Sequence, residues 1–193
     1  MVGSHGKSLW REGVLGCVSC AVLHHTVYPT LLLNVGVQEE KERGTCRLNC
    51  TELLRHILFP TDFSEIAERA FGYLERLAPK GVAQVTLLHA LEAPEGEAYA
   101  PGFQETAEAA ARDSLENFKK RLGAAGVQVI HTLLSRGHPV PVILEALRSL
   151  DFSLIVMGTQ GKGFIKEIFL GSVAHNISRL APCPVLLIPP VTR

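Results

Sequence analysis

The sequence lacks an excess of charge of either sign, because its 19 basic and 19 acidic residues cancel. It therefore has no basic surplus to meet nucleic-acid phosphates and no polybasic run to attract a membrane surface. Long hydrophobic runs are missing too, since the longest one near the start, residues 14–23, is too short and broken to span a bilayer. The start also lacks the basic, apolar and small-residue succession of a signal peptide. We therefore expect a cytoplasmic protein without nucleic-acid or membrane partners.

Cysteine is scarce, with five residues in a chain of 193. An odd count in the expected intracellular setting favours reduced thiols over a disulfide framework. The pairs Cys17/Cys20 and Cys46/Cys50 could supply four thiolates to zinc, but the stretch between them is long for a zinc ribbon. No Ser/His/Asp or Cys/His arrangement rises above chance, so the sequence does not predict a nucleophilic enzyme.

What the chain does have is an alternation of short apolar runs with amphipathic segments. Its length suits one ordinary domain and a fragment, and its 47% hydrophobic and 20% charged residues are typical of a globular protein. Strands alternating with helices pair in parallel through right-handed crossovers. The pattern therefore predicts an open five-stranded parallel α/β sheet with helices on both faces. The predicted strands are 57–61, 84–89, 127–133, 153–157 and 185–188.

A glycine-rich stretch follows the fourth predicted strand. Gly158, Gly161 and Gly171, with Ser172, give the pattern Gly-x2-Gly-x9-Gly-Ser ahead of an amphipathic segment. Glycine brings backbone N–H groups close to phosphate oxygens, because no Cβ blocks the approach and positive φ is allowed. A helix starting near Ser172 would add unpaired N–H groups and a positive dipole end. The pattern is neither the Walker loop nor the dinucleotide fingerprint, and a glycine-rich connecting loop without a ligand is the alternative.

Other candidate residues lie at the ends of the first two strands. Asp62 follows the first strand, Ala90 follows the second, and the glycine loop follows the fourth. All three therefore belong to the edge where open α/β sheets bind their ligands. Asp62 could equally be a plain helix cap, since Asp is a favoured N-cap residue.

The stretch 158–189 resembles the C-terminal signature of the universal stress protein family, including its closing Ala-Pro-Cys-Pro-Val-Leu-Leu-Ile. The Pro-Thr-Asp triplet at 60–62 is equally typical of that family. The resemblance covers residues 55–190 in full. It implies an adenine nucleotide alpha hydrolase-like fold with strand order 3-2-1-4-5. It also implies that ATP, or AMP, binds together with Mg²⁺.

By resemblance, the nucleotide site divides into an adenosine part and a phosphate part. Gln160 departs from the many nucleotide-binding members that have His at this position, but Gln can still donate a hydrogen bond. Pro60, Thr61, Asp62 and Ala90 would face the adenosine, whereas Gly158, Gln160, Gly161, Gly171, Ser172 and Val173 would hold the phosphates.

Residues 1–36 repeat the signature stretch at an offset of 155 positions. Internal self-similarity of this kind decides the architecture. It predicts a partial copy at 1–36, a linker at 37–54 and a complete domain at 55–190. Cys17 stands where Ser172 stands, and no Asp-bearing strand accompanies it, so no nucleotide is expected at this half-site. Gly3, Gly6, Gly16, Lys7, Glu12, Leu15, Val18, Pro29, Leu31 and Leu32 match Gly158, Gly161, Gly171, Lys162, Glu167, Leu170, Val173, Pro184, Leu186 and Leu187.

A glycine loop, helix and strand cannot bury an apolar face alone. Either the partial copy docks on the complete domain, or another chain supplies what is missing, or the start of the reading frame is lost. Members of the family typically pair their last strands edge to edge. By resemblance, residues 30–35 could lie antiparallel to 185–188 within the chain, or two chains could form a homodimer through the last strand.

The function implied by the resemblance is that of an ATP-binding universal stress protein, acting as a nucleotide-dependent switch or chaperone-like stress factor. Phosphoryl transfer needs a metal-holding acid and a group that orients the nucleophile. Only Asp62 is an obvious metal ligand, so at most slow ATP hydrolysis or autophosphorylation at Ser172 is expected. The alternatives are an assembly module with an empty glycine loop, and a remnant of a split tandem stress protein.

Overall fold

The computed structural model describes residues 2–3, 21–23, 26–33, 52–92, 103–162 and 170–190. The chain forms a layered α/β structure around one sheet. The strands are β1 (Val2–Gly3), β2 (Thr30–Leu33), β3 (His56–Pro60), β4 (Gln84–Leu91), β5 (Val129–Arg136), β6 (Leu154–Gly158) and β7 (Val185–Ile188). The helices are α1 (Glu65–Leu77), α2 (Phe103–Ala124), α3 (Pro139–Ser149) and α4 (Ser172–Leu180), with a 3₁₀ turn at Ala78–Lys80.

Strand order confirms the predicted doubly wound topology. The sheet runs β1-β2-β7-β6-β3-β4-β5. Its five strands from β3 onward are parallel and have the predicted order 3-2-1-4-5. The predicted strand count is too small, because the described residues add β1 and β2 to make seven strands. The switch in winding direction lies between β3 and β6, which places a crevice at their carboxyl ends.

Two apolar layers hold the helices on opposite faces of the sheet. On one face, α1 and α2 bury Phe71 and Phe118 against Phe59 of β3. The rings of Phe71 and Phe118 stack with their centroids 3.9 Å apart. On the other face, α3 and α4 bury Ile143 and Ile177 in a second apolar cluster. No helix in the described parts of the chain is long and apolar enough to cross a membrane.

Some element boundaries differ from the predicted ones. β5 begins at residue 129 instead of 127, because Val127 is buried and its N–H donates to the Leu122 carbonyl at 3.1 Å, closing the end of α2. β4 continues to Leu91, so Ala90 lies inside the strand and pairs with Ser135, not beyond the strand end as predicted. Ladder pairing with β5 overrides the local turn signals that follow His89.

The N-terminal segment joins the same sheet. β2 lies antiparallel to β7, with Leu31 opposite Leu186, and this confirms the in-chain pairing proposed for residues 30–35 over its described part. Leu23 and Leu32 are fully buried in the α3/α4 layer. The remaining features of the partial copy and most of the linker, including the cysteine pairs, lie outside the described residues.

Candidate functional site

A cavity of about 910 Å³ opens at the carboxyl ends of β3, β4 and β6. This volume is within the usual range of small-molecule pockets. Part of the lining comes from small side chains of α2, and part comes from the start of α4. The cavity brings together all ten residues singled out in the sequence: Pro60, Thr61, Asp62, Ala90, Gly158, Gln160, Gly161, Gly171, Ser172 and Val173.

Asp62 connects the two loops that form the mouth of this cavity. One carboxylate oxygen, Oδ1, accepts from the Ser64 N–H at 3.0 Å. The other, Oδ2, accepts from the Lys162 N–H at 2.8 Å, across 100 residues of sequence. Ser64 is the N-cap of α1 and accepts from the Ala67 N–H, so the interpretation of Asp62 as a plain helix cap is wrong. Asp62 fixes the glycine loop to the end of β3.

The turn that presents Asp62 is held in a costly backbone conformation. Phe63 has φ of 59°, which a non-glycine residue rarely adopts. The Thr61 hydroxyl accepts from the Phe63 N–H at 3.0 Å. The Phe63 ring packs against His89 and Phe118, with centroid distances of 4.5 and 5.8 Å. Packing and hydrogen bonding together keep the strained turn in one geometry, as is common where a site must be preorganised.

The glycines are required for space and not for positive φ. None of the three loop glycines has a left-handed φ, so that part of the sequence argument is wrong. A Cβ on Gly158 would lie 2.8 Å from Cγ2 of Ile66, and one on Gly161 would lie 2.5 Å from Oδ2 of Asp62. A Cβ on Gly171 would lie 3.3 Å from the Thr159 carbonyl oxygen. The loop thus packs its backbone directly against α1, Asp62 and its own preceding turn.

The N-terminus of α4 faces the same cavity. Gly171 is its N-cap, and a glycine offers no side-chain oxygen to the first turn. The Gly171 N–H donates to the Thr159 carbonyl at 2.7 Å, which fixes the start of the helix. The first N–H groups of a helix have no partner within it, and they carry the positive end of the helix dipole. Because Ser172 to Ala174 line the cavity, an anion bound there would meet these donors.

Two histidines also line the cavity, and the sequence argument had not included them in the site. His89 is buried and its Nδ1 donates to the Thr61 carbonyl at 2.7 Å, in agreement with its interpretation as a satisfied core residue. Burial lowers the pKa of His89, so the ring is neutral at pH 7 and its Nε2 is an acceptor. His138 is the N-cap of α3, accepting from the Val140 N–H at 3.4 Å.

The small-residue wall is another part that sequence reasoning missed. Ala107, Ala110, Ala111 and Ser114 of α2 line the cavity. The sequence does carry one sign of this wall, because these four small residues are spaced so that they lie on one face of a helix. Small side chains leave room beside β4, where larger ones would fill the cavity.

The charges at the site are mixed. Asp62, Glu92 and Lys162 line the cavity together with the two histidines. No group of three or more His, Cys, Asp or Glu side chains within the described residues could hold a metal ion by itself. Asp62 is the carboxylate that contacts the glycine loop, and a bound cation would need further ligands from an anionic partner molecule.

The fold and this site define a doubly wound α/β domain in which a glycine loop and a helix N-terminus line a cavity at the switch point. The profile of the universal stress protein family matches residues 54–189. The universal stress protein in the QAH/OAS sulfhydrylase 3′ region of Thermus aquaticus is 34% identical over 140 residues, which are 70% of this chain and 99% of that protein. The chain belongs to the universal stress protein family.

Solved structures show the same fold. The universal stress protein UspA from Lactobacillus plantarum is 28% identical with a TM-score of 0.62, over 70% of this chain and 97% of that one. A universal stress protein solved in complex with cAMP is 24% identical with a TM-score of 0.55, over 69% of this chain and 96% of that one. At least one protein of this fold thus holds an adenine nucleotide.

Proposed function

We propose that this universal stress protein binds an adenine nucleotide, ATP in the first place, in the cavity between β3, β4, β6 and α4. The protein then acts in the cytoplasm as a stress-response switch or as a chaperone-like stress factor, and its activity depends on whether a nucleotide occupies the cavity. The observation that carries the proposal is the Asp62 bridge: a carboxylate at the end of β3 holds the Lys162 N–H at 2.8 Å. This bridge holds the Gly161 end of the loop beside the start of α4, whose N-cap Gly171 offers no side-chain oxygen.

The two halves of the cavity suit the two halves of a nucleotide. The start of α4 supplies backbone donors and a positive dipole end, which stabilise phosphate oxygens. The small side chains of α2 and the strand ends around Ala90 leave an apolar space that suits a base and sugar. Thr159, next to the start of α4, also lines the cavity, and its buried Oγ1 has no hydrogen-bond partner among the described residues. A ligand hydroxyl or amine there would satisfy it.

Mg²⁺ fits the site as a companion of the phosphates. Mg²⁺ is usually bound through one or two carboxylates together with phosphate oxygens and water. Asp62 is the carboxylate at the glycine loop, and each of its oxygens retains a second lone pair beside its backbone donor. When bound, the ion would neutralise phosphate charge next to Asp62.

Binding without rapid turnover is the chemistry that this arrangement supports. Asp62 is already engaged by two backbone N–H groups, and the described residues hold no group of three or more His, Cys, Asp or Glu side chains that could bind a metal by themselves. A group that would orient an attacking water is likewise not marked out there. We expect hydrolysis slower than about one turnover per minute, far below the ~10 s⁻¹ of ordinary enzymes. Faster phosphate release that disappears in Asp62→Ala would contradict this assignment.

Titration calorimetry tests the binding proposal. ATP with Mg²⁺ should bind more tightly than AMP, because only ATP reaches the start of α4 with a triphosphate, and GTP serves as the base control. The Asp62→Asn variant replaces one carboxylate oxygen with an NH₂ group, which faces a backbone N–H donor and cannot accept from it. One of the two hydrogen bonds is lost, and the bridge between the loops is broken. The loss of a charged hydrogen bond costs about 1.5–3 kcal/mol, or roughly 10- to 150-fold in affinity. Equal ATP affinity in the folded variant would show that the bridge does not organise a binding site.

The assembly-module alternative makes a different forecast for the same cavity. If the loop is only a connection, Gly161→Val leaves every function of the folded protein unchanged. If the loop binds nucleotide, this substitution abolishes binding while circular dichroism reports a retained fold.

A further inference from the structure

The tautomer of His89 is fixed by one hydrogen bond. Its Nδ1 lies 2.7 Å from the Thr61 carbonyl oxygen. A carbonyl oxygen can only accept, so Nδ1 carries the proton. Burial lowers the pKa of His89, which keeps the ring neutral at pH 7. Nε2 is therefore a bare nitrogen, which can accept a hydrogen bond and has no hydrogen to donate.

Neighbouring aromatic rings hold this imidazole in place. The Phe63 ring lies against it, with the two ring centroids 4.5 Å apart. Phe63 is itself held by Phe118 of α2, at a centroid distance of 5.8 Å. Together with the bond to Thr61, these contacts fix where Nε2 lies in the cavity wall. An acceptor that is already in position needs no ordering when a ligand binds.

Nε2 has no partner within the described parts of the chain. His89 lines the cavity and is 9% exposed, and its listed bond to Thr61 uses only Nδ1. Nε2 is also not sealed off, in contrast to the fully buried Oγ1 of Thr159. A molecule in the cavity can therefore reach Nε2. If that molecule covers Nε2 without donating a hydrogen bond, the acceptor is left buried and unsatisfied, which costs free energy.

We propose that His89 determines the specificity of this site, because Nε2 accepts a hydrogen bond from an N–H or O–H group on the base or sugar of the bound nucleotide. This inference rests on the proposed function of nucleotide binding. The strand order places β3 between β4 and β6, so His89 is one strand away from the glycine loop that follows β6. His89 thus belongs to the half of the cavity that α2 lines, where the base and sugar are expected.

The bare nitrogen also excludes other groups from its position. A phosphate oxygen or a carbonyl oxygen there would place one acceptor opposite another, and neither could donate. The ligand groups that fit are an amine, as on the base of ATP, and a hydroxyl, as on its ribose. His89 therefore favours a ligand that presents a donor in the apolar half of the cavity.

Titration calorimetry on the full-length chain tests the inference with ATP and three analogues, each of which lacks one donor. Purine riboside triphosphate lacks the amine of the base, whereas 2′-deoxyATP and 3′-deoxyATP each lack one ribose hydroxyl. The analogue without the donor that meets Nε2 should bind the unmodified protein roughly 2- to 12-fold more weakly than ATP, which is the effect of one neutral hydrogen bond.

A substitution at position 89 shows whether this penalty belongs to His89. In His89→Asn, the side-chain amide nitrogen takes the place of Nδ1 and can still donate to the Thr61 carbonyl, but nothing replaces Nε2. ATP and the analogue in question should then bind equally, so the variant and the ligand change are coupled. His131→Asn is the matched control, because His131 is exposed on β5 and is not part of the cavity lining. It should discriminate as the unmodified protein does.

The analogue whose penalty disappears in His89→Asn identifies the donor as the base amine or a ribose hydroxyl, and either result supports the inference. Penalties of the same size in both proteins for all three analogues would overturn it. Lost discrimination in His131→Asn would overturn it too, since the effect would not be specific to position 89. If the unmodified protein binds no ATP, the proposed function fails together with this inference. ATP binding without coupling overturns this inference alone.

Nitrogen NMR of the histidine rings gives a second measurement on the unmodified protein. The His89 signals are assigned through the contact of the ring with Phe63. They should show a proton on Nδ1 and none on Nε2, and the Nε2 signal should move upfield when ATP is added. If His89→Asn loses the circular dichroism of the fold, this measurement decides, and an Nε2 signal that does not move at saturating ATP overturns the inference.

Discussion

Replacing Gly161 by alanine is the perturbation whose effect follows most directly from the geometry of the site. The added Cβ would lie 2.5 Å from Oδ2 of Asp62 and 3.5 Å from its Cγ. Contacts of a Cβ atom below 3.0 Å essentially do not occur, so one partner must move. The Asp62 carboxylate cannot retreat without leaving the N–H groups of Ser64 and Lys162, at 3.0 and 2.8 Å. The relief must therefore come from breaking the bridge between the two loops.

The expected size of this effect is that of one charged hydrogen bond. The free protein relieves the clash by letting the loop move away from Asp62, and nucleotide binding must restore the original position. That restoration costs about 1.5–3 kcal/mol, which weakens ATP affinity roughly 10- to 150-fold. Titration calorimetry measures the change directly, and urea denaturation checks that the variant is folded.

A matched control exists in the same chain. A Cβ on Gly123, near the end of α2, would meet no atom within 4 Å. Gly123→Ala should leave ATP affinity unchanged and should stabilise the helix by about 0.5–1 kcal/mol. A Gly161→Ala protein that is folded and binds ATP as tightly as the Gly123→Ala protein would refute the reasoning, because the loop would then not need its contact with Asp62.

Further predictions concern stability. Burial lowers the pKa of His56 below 6.5, its ordinary value. Its contribution to stability is therefore fully present above about pH 6.5 and is lost as the pH falls below 6.5 and through the lowered pKa of the folded protein. The urea midpoint should fall between pH 7.5 and 5.5, and less so in His56→Gln; an equal fall in both proteins would contradict this. Arg121 donates to Glu75 at 2.9 and 3.0 Å, and its guanidinium carbon lies 4.5 Å from the centroid of the Phe71 ring. Arg121→Met should therefore lower the free energy of unfolding by about 1–2 kcal/mol. No loss of stability would show that solvent screens the ion pair. Phe118 is buried among aromatic rings, so Phe118→Ala should lower the free energy of unfolding by about 3–5 kcal/mol in urea denaturation. A loss below about 1 kcal/mol would mean that neighbouring side chains move in to fill the space left by the ring.

The parallel pairing and the edge that carries the site could be predicted because both follow from local patterns, whereas the strand order 3-2-1-4-5 was implied only by the resemblance to the universal stress protein family. Alternating apolar runs and amphipathic segments fix parallel pairing, and parallel strands bring their carboxyl ends to one edge. Asp62, Ala90 and the glycine loop each follow or end such a strand. The patterns place them at one edge, and their meeting in one cavity follows once β3, β4 and β6 are neighbours in the sheet.

The roles of individual groups could not be predicted, since they depend on contacts between distant residues. The Asp62 carboxylate accepts from a backbone N–H 100 residues away, and no local pattern distinguishes this from a helix cap. The glycines are needed because Ile66 and Asp62 occupy the space of their missing side chains, which a φ-based argument does not detect. His138 enters the cavity only because α3 starts beside β4.

The most direct test of the central claim is the identification of whatever the purified protein already holds. Freshly purified full-length protein is denatured, and released small molecules are separated and identified by mass spectrometry. The account predicts near-stoichiometric ATP, because a site with slow turnover should retain its ligand. Release of no nucleotide, together with no thermal shift on adding ATP and Mg²⁺, would contradict it and would leave the glycine loop as a connection between β6 and α4.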